Sequence, residues 1–125
     1  MFSENKAYGV LVAQDLARAK EFYAEKLGLE CQEMKGVLMV KAGAGSSFVL
    51  YEKAGSAAPA TTVLGFDVKN LPELLDELKG KGVKQDMDDL PEGADENGVV
   101  NYGQIRSAWV KDSEGNIIAL NEWLS

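Results

Sequence analysis

The chain contains no histidine, one cysteine and three prolines, and it has no apolar run long enough to span a membrane. Each shortage excludes something. Without histidine there is no imidazole base, no Ser-His or Cys-His nucleophile and no imidazole metal ligand. A lone cysteine, Cys31, cannot close a disulfide within the chain and fits a reducing compartment. The opening Met-Phe-Ser-Glu-Asn-Lys has no apolar segment of a secretory signal. The expectation is a cytoplasmic protein, with a secreted chain whose signal was removed as the alternative. Basic residues are also in deficit, 13 against 20 acidic ones, for a net charge of −7. That sign argues against nucleic acid and anionic lipid as partners.

What is present suits a folded domain. Hydrophobic residues at 46% and charged residues at 26% separate this chain from disordered ones. Its 125 residues are one domain's length, so a single domain over 1–125 is expected.

The pattern along the chain runs twice. Residues 7–13 are short, apolar and partly β-branched, as a buried strand is. Asp15 then fits a helix N-cap, apolar residues recur through Phe22, Tyr23 and Leu27, and Gly28 supplies the stop. Three strands follow, over 29–34, 37–40 and 48–52, joined by glycine-containing turns. The Gly-x-Gly at 43–45 reads as a hairpin, since no phosphate-loop helix with Lys-Ser/Thr follows it.

After a small-residue linker at 53–61 the order restarts. Residues 63–68 predict a strand. Asn70 repeats the role of Asp15 as N-cap, with Pro72 in the first turn. Leu71, Leu74, Leu75 and Leu78 form an apolar helical stripe, and Val83 opens an extended stretch. The acidic segment 86–98 reads as a solvated surface loop. Strands are expected over 104–111 and 116–123, joined by Asp112-Ser113-Glu114-Gly115. Asp15-Leu16 thus recurs as Asn70-Leu71, and Gly45 to Glu52 recurs as Gly115 to Glu122. Two repeats, over about 6–53 and 61–124, each read strand, helix and three strands.

These residues resemble the glyoxalase/bleomycin-resistance/dioxygenase proteins, the vicinal oxygen chelate superfamily. Asp15-Leu16 with Phe22-Tyr23 and Leu27-Gly28-Leu29 looks like the family's first helix. Asp112-Ser113-Glu114-Gly115-Asn116 looks like its Asp-Pro-Asp-Gly-Asn turn, with Ser113 in place of proline; Tyr102-Gly103 and Arg106 fit the approach to it. The resemblance implies an α+β fold of two βαβββ modules. Their cupped mixed sheets form half-barrels with helices outside and a pocket inside. It also implies a homodimer.

Metal-dependent members of such a family set His, Glu or Gln at four repeat-related strand positions. By spacing from the flanking motifs, those positions hold Tyr8, Val49, Val63 and Ala119 here. Three offer no donor, and a phenol alone is a poor divalent ligand. A register error of one residue brings in only Thr62 as a donor. No metal, cofactor or catalytic residue is therefore expected.

Strand alternation from the same positions lists the inward side chains. Tyr8, Met39, Tyr51, Asp67, Trp109 and Asn121 are the candidate ligand contacts on an otherwise apolar floor. Trp109 is also explained as core or dimer interface, and Asp67 as a solvated strand end. Glu52 and Glu122 have helix-side parity and are expected at strand ends in water. Cys31, with no activating base, is expected to be inert.

The leading expectation is a metal-free small-molecule binding protein like the bleomycin-resistance proteins, holding an aromatic or cationic ligand. The alternatives are a metal-dependent glyoxalase-like lyase or dioxygenase with displaced ligands, and an interaction module whose cup its own side chains fill.

Overall fold

The computed structural model describes residues 1–124 and divides into two compact units, Met1–Ser56 and a second beginning at Ala57. The first contains β1 (Gly9–Ala13), α1 (Leu16–Glu21), β2 (Glu30–Met34), β3 (Val37–Lys41) and β4 (Ser47–Glu52). The second contains β5 (Thr62–Asp67), α2 (Leu71–Gly80), β6 (Val100–Asn101), β7 (Ile105–Lys111) and β8 (Ile117–Trp123). Each forms one four-stranded mixed sheet, in the orders β1-β4-β3-β2 and β5-β8-β7-β6. The first and last strands of each unit pair in parallel, and every other pairing is antiparallel. A strand must cross over to pair in parallel, and the helix after the first strand makes that crossing. This is the α+β arrangement of paired βαβββ modules expected from the sequence. Neither sheet is closed.

In the first module, Leu11, Ala13, Leu38, Val40, Phe48 and Leu50 are buried together with Leu16, Ala19, Phe22 and Tyr23 of the helical segment. Tyr23 meets Phe22 edge-on at 5.0 Å and Phe48 at 5.3 Å, the geometry that ring quadrupoles favour. Asp15 caps α1 as expected, accepting the Arg18 amide at 3.1 Å. The helix then widens into a π turn over Phe22–Lys26, with Leu27 N–H donating to Phe22 O. Periodicity does not forecast that turn. Gly28, at φ +70°, lets the chain reverse so that Leu29 N–H reaches Tyr23 O.

In the second module the core is Leu71, Leu78, Val83, Val100, Ala108, Val110, Ile118 and Leu120. The stretch opened by Val83 contributes one bridge, Gln85 to Val110, rather than a full strand. The third paired strand comes after the acidic loop, as β6, and has only two residues. The inserted loop diverts the chain before it can run along β7, so pairing is split between residues 84–86 and 100–101.

Candidate functional site

Alternation along the strands gives each sheet one face toward its helix and one face free of it. The pairing register sorts the free faces into matching rows. In the first module Val10, Val49 and Met39 stand abreast, and beside them Val12, Tyr51 and Val37. The corresponding rows in the second module are Gly65, Ala119 and Trp109, then Asp67, Asn121 and Ser107. The sequence repeat is therefore also a repeat of register. Tyr8 immediately precedes β1, and it and Val10 are more than half exposed. Of the six expected contact residues, Tyr8, Met39 and Tyr51 belong to the first module, and Asp67, Trp109 and Asn121 to the second.

The two free faces differ chemically. The first has apolar rows with a tyrosine at the strand end. The second has a polar row beside a row in which glycine and alanine leave the Trp109 indole as the one large side chain. Ser107 Oγ donates to Asn121 Oδ1 at 2.7 Å, which fixes the amide. Trp123 Nε1 donates to Asp67 Oδ1 at 3.3 Å, so Asp67 already has an indole partner. A Cβ on Gly65 would lie 3.5 Å from Asn121 Nδ2, in ordinary contact. With glycine there and Ala119 between, the surface beside Trp109 is a shallow shelf.

At the end of this face lies an open cavity of about 550 Å³. Trp109, Lys111 and Ile117 form its sheet side, residues 58–61 of the linker with Thr62 of β5 form one wall, and Asp86, Asp88, Asp89, Leu90 and Pro91 form the other. The acidic loop is thus more than a solvated surface. Asp86 is nine-tenths buried, its amide donates to Trp109 O at 2.7 Å, and its Oδ1 accepts the Asp88 amide. A second cavity, of about 470 Å³, lies on the helix side of the same sheet, between α2 and residues 83–99.

Glu52 and Glu122 stand near strand ends as expected, Glu52 exposed at the end of β4 and Glu122 half-buried near the end of β8. Beyond that expectation, both carboxylates close helix N-termini. Glu52 Oε1 accepts Leu16 N–H at 3.0 Å. Glu122 accepts Asn70 N–H and Leu71 N–H, each at 3.0 Å, and the Arg106 guanidinium at 2.6 Å. Asn70 makes no side-chain cap. It adopts φ +51°, a left-handed conformation asparagine tolerates, and its own amide joins that of Leu71 in donating to Glu122. The Arg106 hydrogen bond, then those from the Leu71 and Asn70 amides, hold the Glu122 carboxyl below its ordinary pKa. The clue in the sequence was the repeat equivalence of the two glutamates; parity alone did not reveal their partners.

The turn between β7 and β8 is tightly built. Asp112 Oδ1 accepts the amides of Glu114 and Asn116, each at 2.8 Å, and its Oδ2 accepts the Asn116 side chain at 2.9 Å. Asp112, Glu114 and Asn116 are all buried, so the turn motif is structural. Cys31 is part-buried, and that burial pushes its thiol pKa up against the opposing effect of Lys20. This favours the neutral, unreactive thiol.

The four repeat-related positions do not fit a metal. Val49 has Met39 and Val10 as cross-strand neighbours, and Ala119 has Trp109 and Gly65. Val63 sits at the irregularity between Thr62 and Leu64. Valine and alanine bring no nitrogen or oxygen donor, and one phenol does not make a coordination sphere. No helix of the described residues is long and apolar enough to cross a membrane.

Known proteins show the same architecture. A glyoxalase family protein from Enterococcus faecalis is 20% identical, with 98% of this chain and 100% of that one covered and a TM-score of 0.71. A virulence protein from Salmonella typhimurium is also 20% identical over 99% and 100% of the two chains, with a TM-score of 0.69. A lactoylglutathione lyase from Agrobacterium tumefaciens is 16% identical over 96% and 95%, with a TM-score of 0.67. At these identities the likeness shows the fold. No curated protein matches the chain. The sequence model of the glyoxalase/bleomycin resistance protein/dioxygenase superfamily matches residues 7–120, nearly the whole length. The chain belongs to that superfamily.

Proposed function

We propose that this protein binds a small aromatic or cationic molecule without a metal and sequesters it, in the manner the words bleomycin resistance imply. The observation that carries this reading is the row Trp109, Ala119, Gly65, in which an indole stands in line with two residues of minimal bulk and itself lines a cavity of about 550 Å³. That volume suits a small ligand, and an indole offers both a stacking surface and an attractive face for a cation. Asp67, Trp109 and Asn121 are the contacts on this face, and Tyr8, Met39 and Tyr51 those on the first module's free face. The lack of donors at Val49, Val63 and Ala119, with only a phenol at Tyr8, is the reason for omitting a metal. The same reading takes the protein as a cytoplasmic homodimer with no nucleic-acid or membrane partner, on the superfamily likeness, the composition and the charge.

Thermal-shift screening against flat neutral and cationic aromatics, with drug susceptibility of an expressing host, tests the proposal. Saturable stabilisation by at least one aromatic class is expected. A flat screen at millimolar ligand with unchanged susceptibility refutes it. Stoichiometric binding of Zn²⁺, Ni²⁺, Mn²⁺ or Fe²⁺ instead supports a lyase or dioxygenase with displaced ligands.

A further inference from the structure

Residues 85–88 run beside β7 with alternating side chains. Gln85 and Met87 line the cavity under α2, whereas Asp86 and Asp88 line the cavity at Trp109. The segment is held there by the Gln85–Val110 bridge, which is made of two hydrogen bonds to β7: Asp86 N–H to Trp109 O at 2.7 Å and Lys111 N–H to Lys84 O at 2.9 Å. The carboxylate of Asp86 is thereby fixed relative to the strand that holds the indole. Only its Oδ1 has a partner among the described residues; Oδ2 accepts no hydrogen bond, although the side chain is nine-tenths buried. Oδ2 is not fully enclosed: its residual exposure lies with the cavity that Asp86 lines, where a cationic group can form a charge-assisted hydrogen bond with it. Around it the walls hold three carboxylates, Asp86, Asp88 and Asp89, against one ammonium, Lys111. Among the described residues no three acidic groups gather closely enough to hold a metal ion. The charge is spread along the wall, which suits a delocalised organic cation.

We infer that Asp86 is the charge-selecting residue of this cavity, pairing with an N–H of a delocalised cation, a guanidinium, amidinium or protonated heteroaromatic amine, whose flat body lies against Trp109. This rests on the reading of the Trp109 face as a ligand site and assigns its charge preference to the 86–89 wall rather than to Asp67, which the Trp123 indole already engages.

The test uses proflavine, a flat cation at neutral pH, and acridone, a flat neutral compound of similar size, titrated into the full chain. Asp86→Asn and Asp67→Asn change the net charge equally, so bulk attraction is matched. Asp86→Asn also keeps the oxygen that accepts the Asp88 amide. Asp86→Asn is expected to weaken proflavine roughly tenfold and to leave acridone unchanged, with Asp67→Asn weakening proflavine much less. Lys111→Gln, which removes the opposing charge without touching the loop, is expected to tighten proflavine binding. Equal loss of proflavine in both aspartate variants, or no selective loss in Asp86→Asn, overturns the inference while acridone binding preserves the underlying reading. Failure of the wild-type chain to bind either probe overturns both.

Discussion

Glu122 and Glu52 occupy equivalent places at the ends of β8 and β4, and each turns its carboxylate onto the first amides of its own module's helix. The helix N-terminus presents unsatisfied N–H groups and a partial positive charge, so an anion there is stabilising. Glu122 serves two amides and Arg106 as well, and so is the more heavily used of the pair.

The sign of the pH dependence follows. Arg106 and the Leu71 and Asn70 amides depress the Glu122 carboxyl in the folded state. A depressed carboxyl contributes stability above its unfolded pKa, and that contribution is lost as pH falls through the folded value. The melting temperature of the wild type is expected to fall more steeply on acidification than that of Glu122→Gln. Melting curves from neutral pH to below the ordinary carboxylate range check this, and parallel curves refute it.

Glu52→Ala removes the acceptor for Leu16 N–H while Asp15 still caps the Arg18 amide. A loss of about 1 kcal/mol is expected, as for other helix caps. Urea denaturation measures it; no change would mean that solvent replaces the carboxylate at no cost.

Gly65 is the substitution that separates ligand binding from folding. A Cβ there meets Asn121 Nδ2 at 3.5 Å and Ala119 O at 3.9 Å, and the backbone is not left-handed. Gly65→Val is expected to keep the wild-type melting temperature or raise it, because valine suits a strand. Its branched side chain fills the shelf beside Trp109 and is expected to weaken acridone at least severalfold. Unaltered affinity in a folded variant argues against the shelf as the site.

Cys31 should react slowly with maleimide at neutral pH relative to a free cysteine, since burial raises its thiol pKa. Following labelling by mass spectrometry decides this. Rapid labelling contradicts the inert assignment.

The extent to which sequence revealed the molecule differs by level. The repeat and strand alternation put Met39 on the face of Val49 and Trp109 on that of Ala119, and the strands pair them so. Parity fixes the face, because a period of two leaves no freedom once one face is buried, whereas the partner itself comes from the pairing. Asp15 was legible as a cap because its partner lies three residues away. The cap at Asn70 was not, because its acceptor, Glu122, lies 52 residues on and the asparagine side chain takes no part. Asp86 was hidden for the same reason. Composition marks 86–98 as polar, and only the tertiary bond from the Asp86 amide to Trp109 O brings one of its carboxylates into a cavity wall.

The central claim is that ligand binding on the Trp109 face needs no metal. Calorimetric titration of proflavine into protein before and after exhaustive chelation, with elemental analysis of both samples, tests it most directly. The account predicts one saturable site with the same affinity in both. Binding that disappears on chelation and returns with Zn²⁺, Ni²⁺, Mn²⁺ or Fe²⁺ would contradict it.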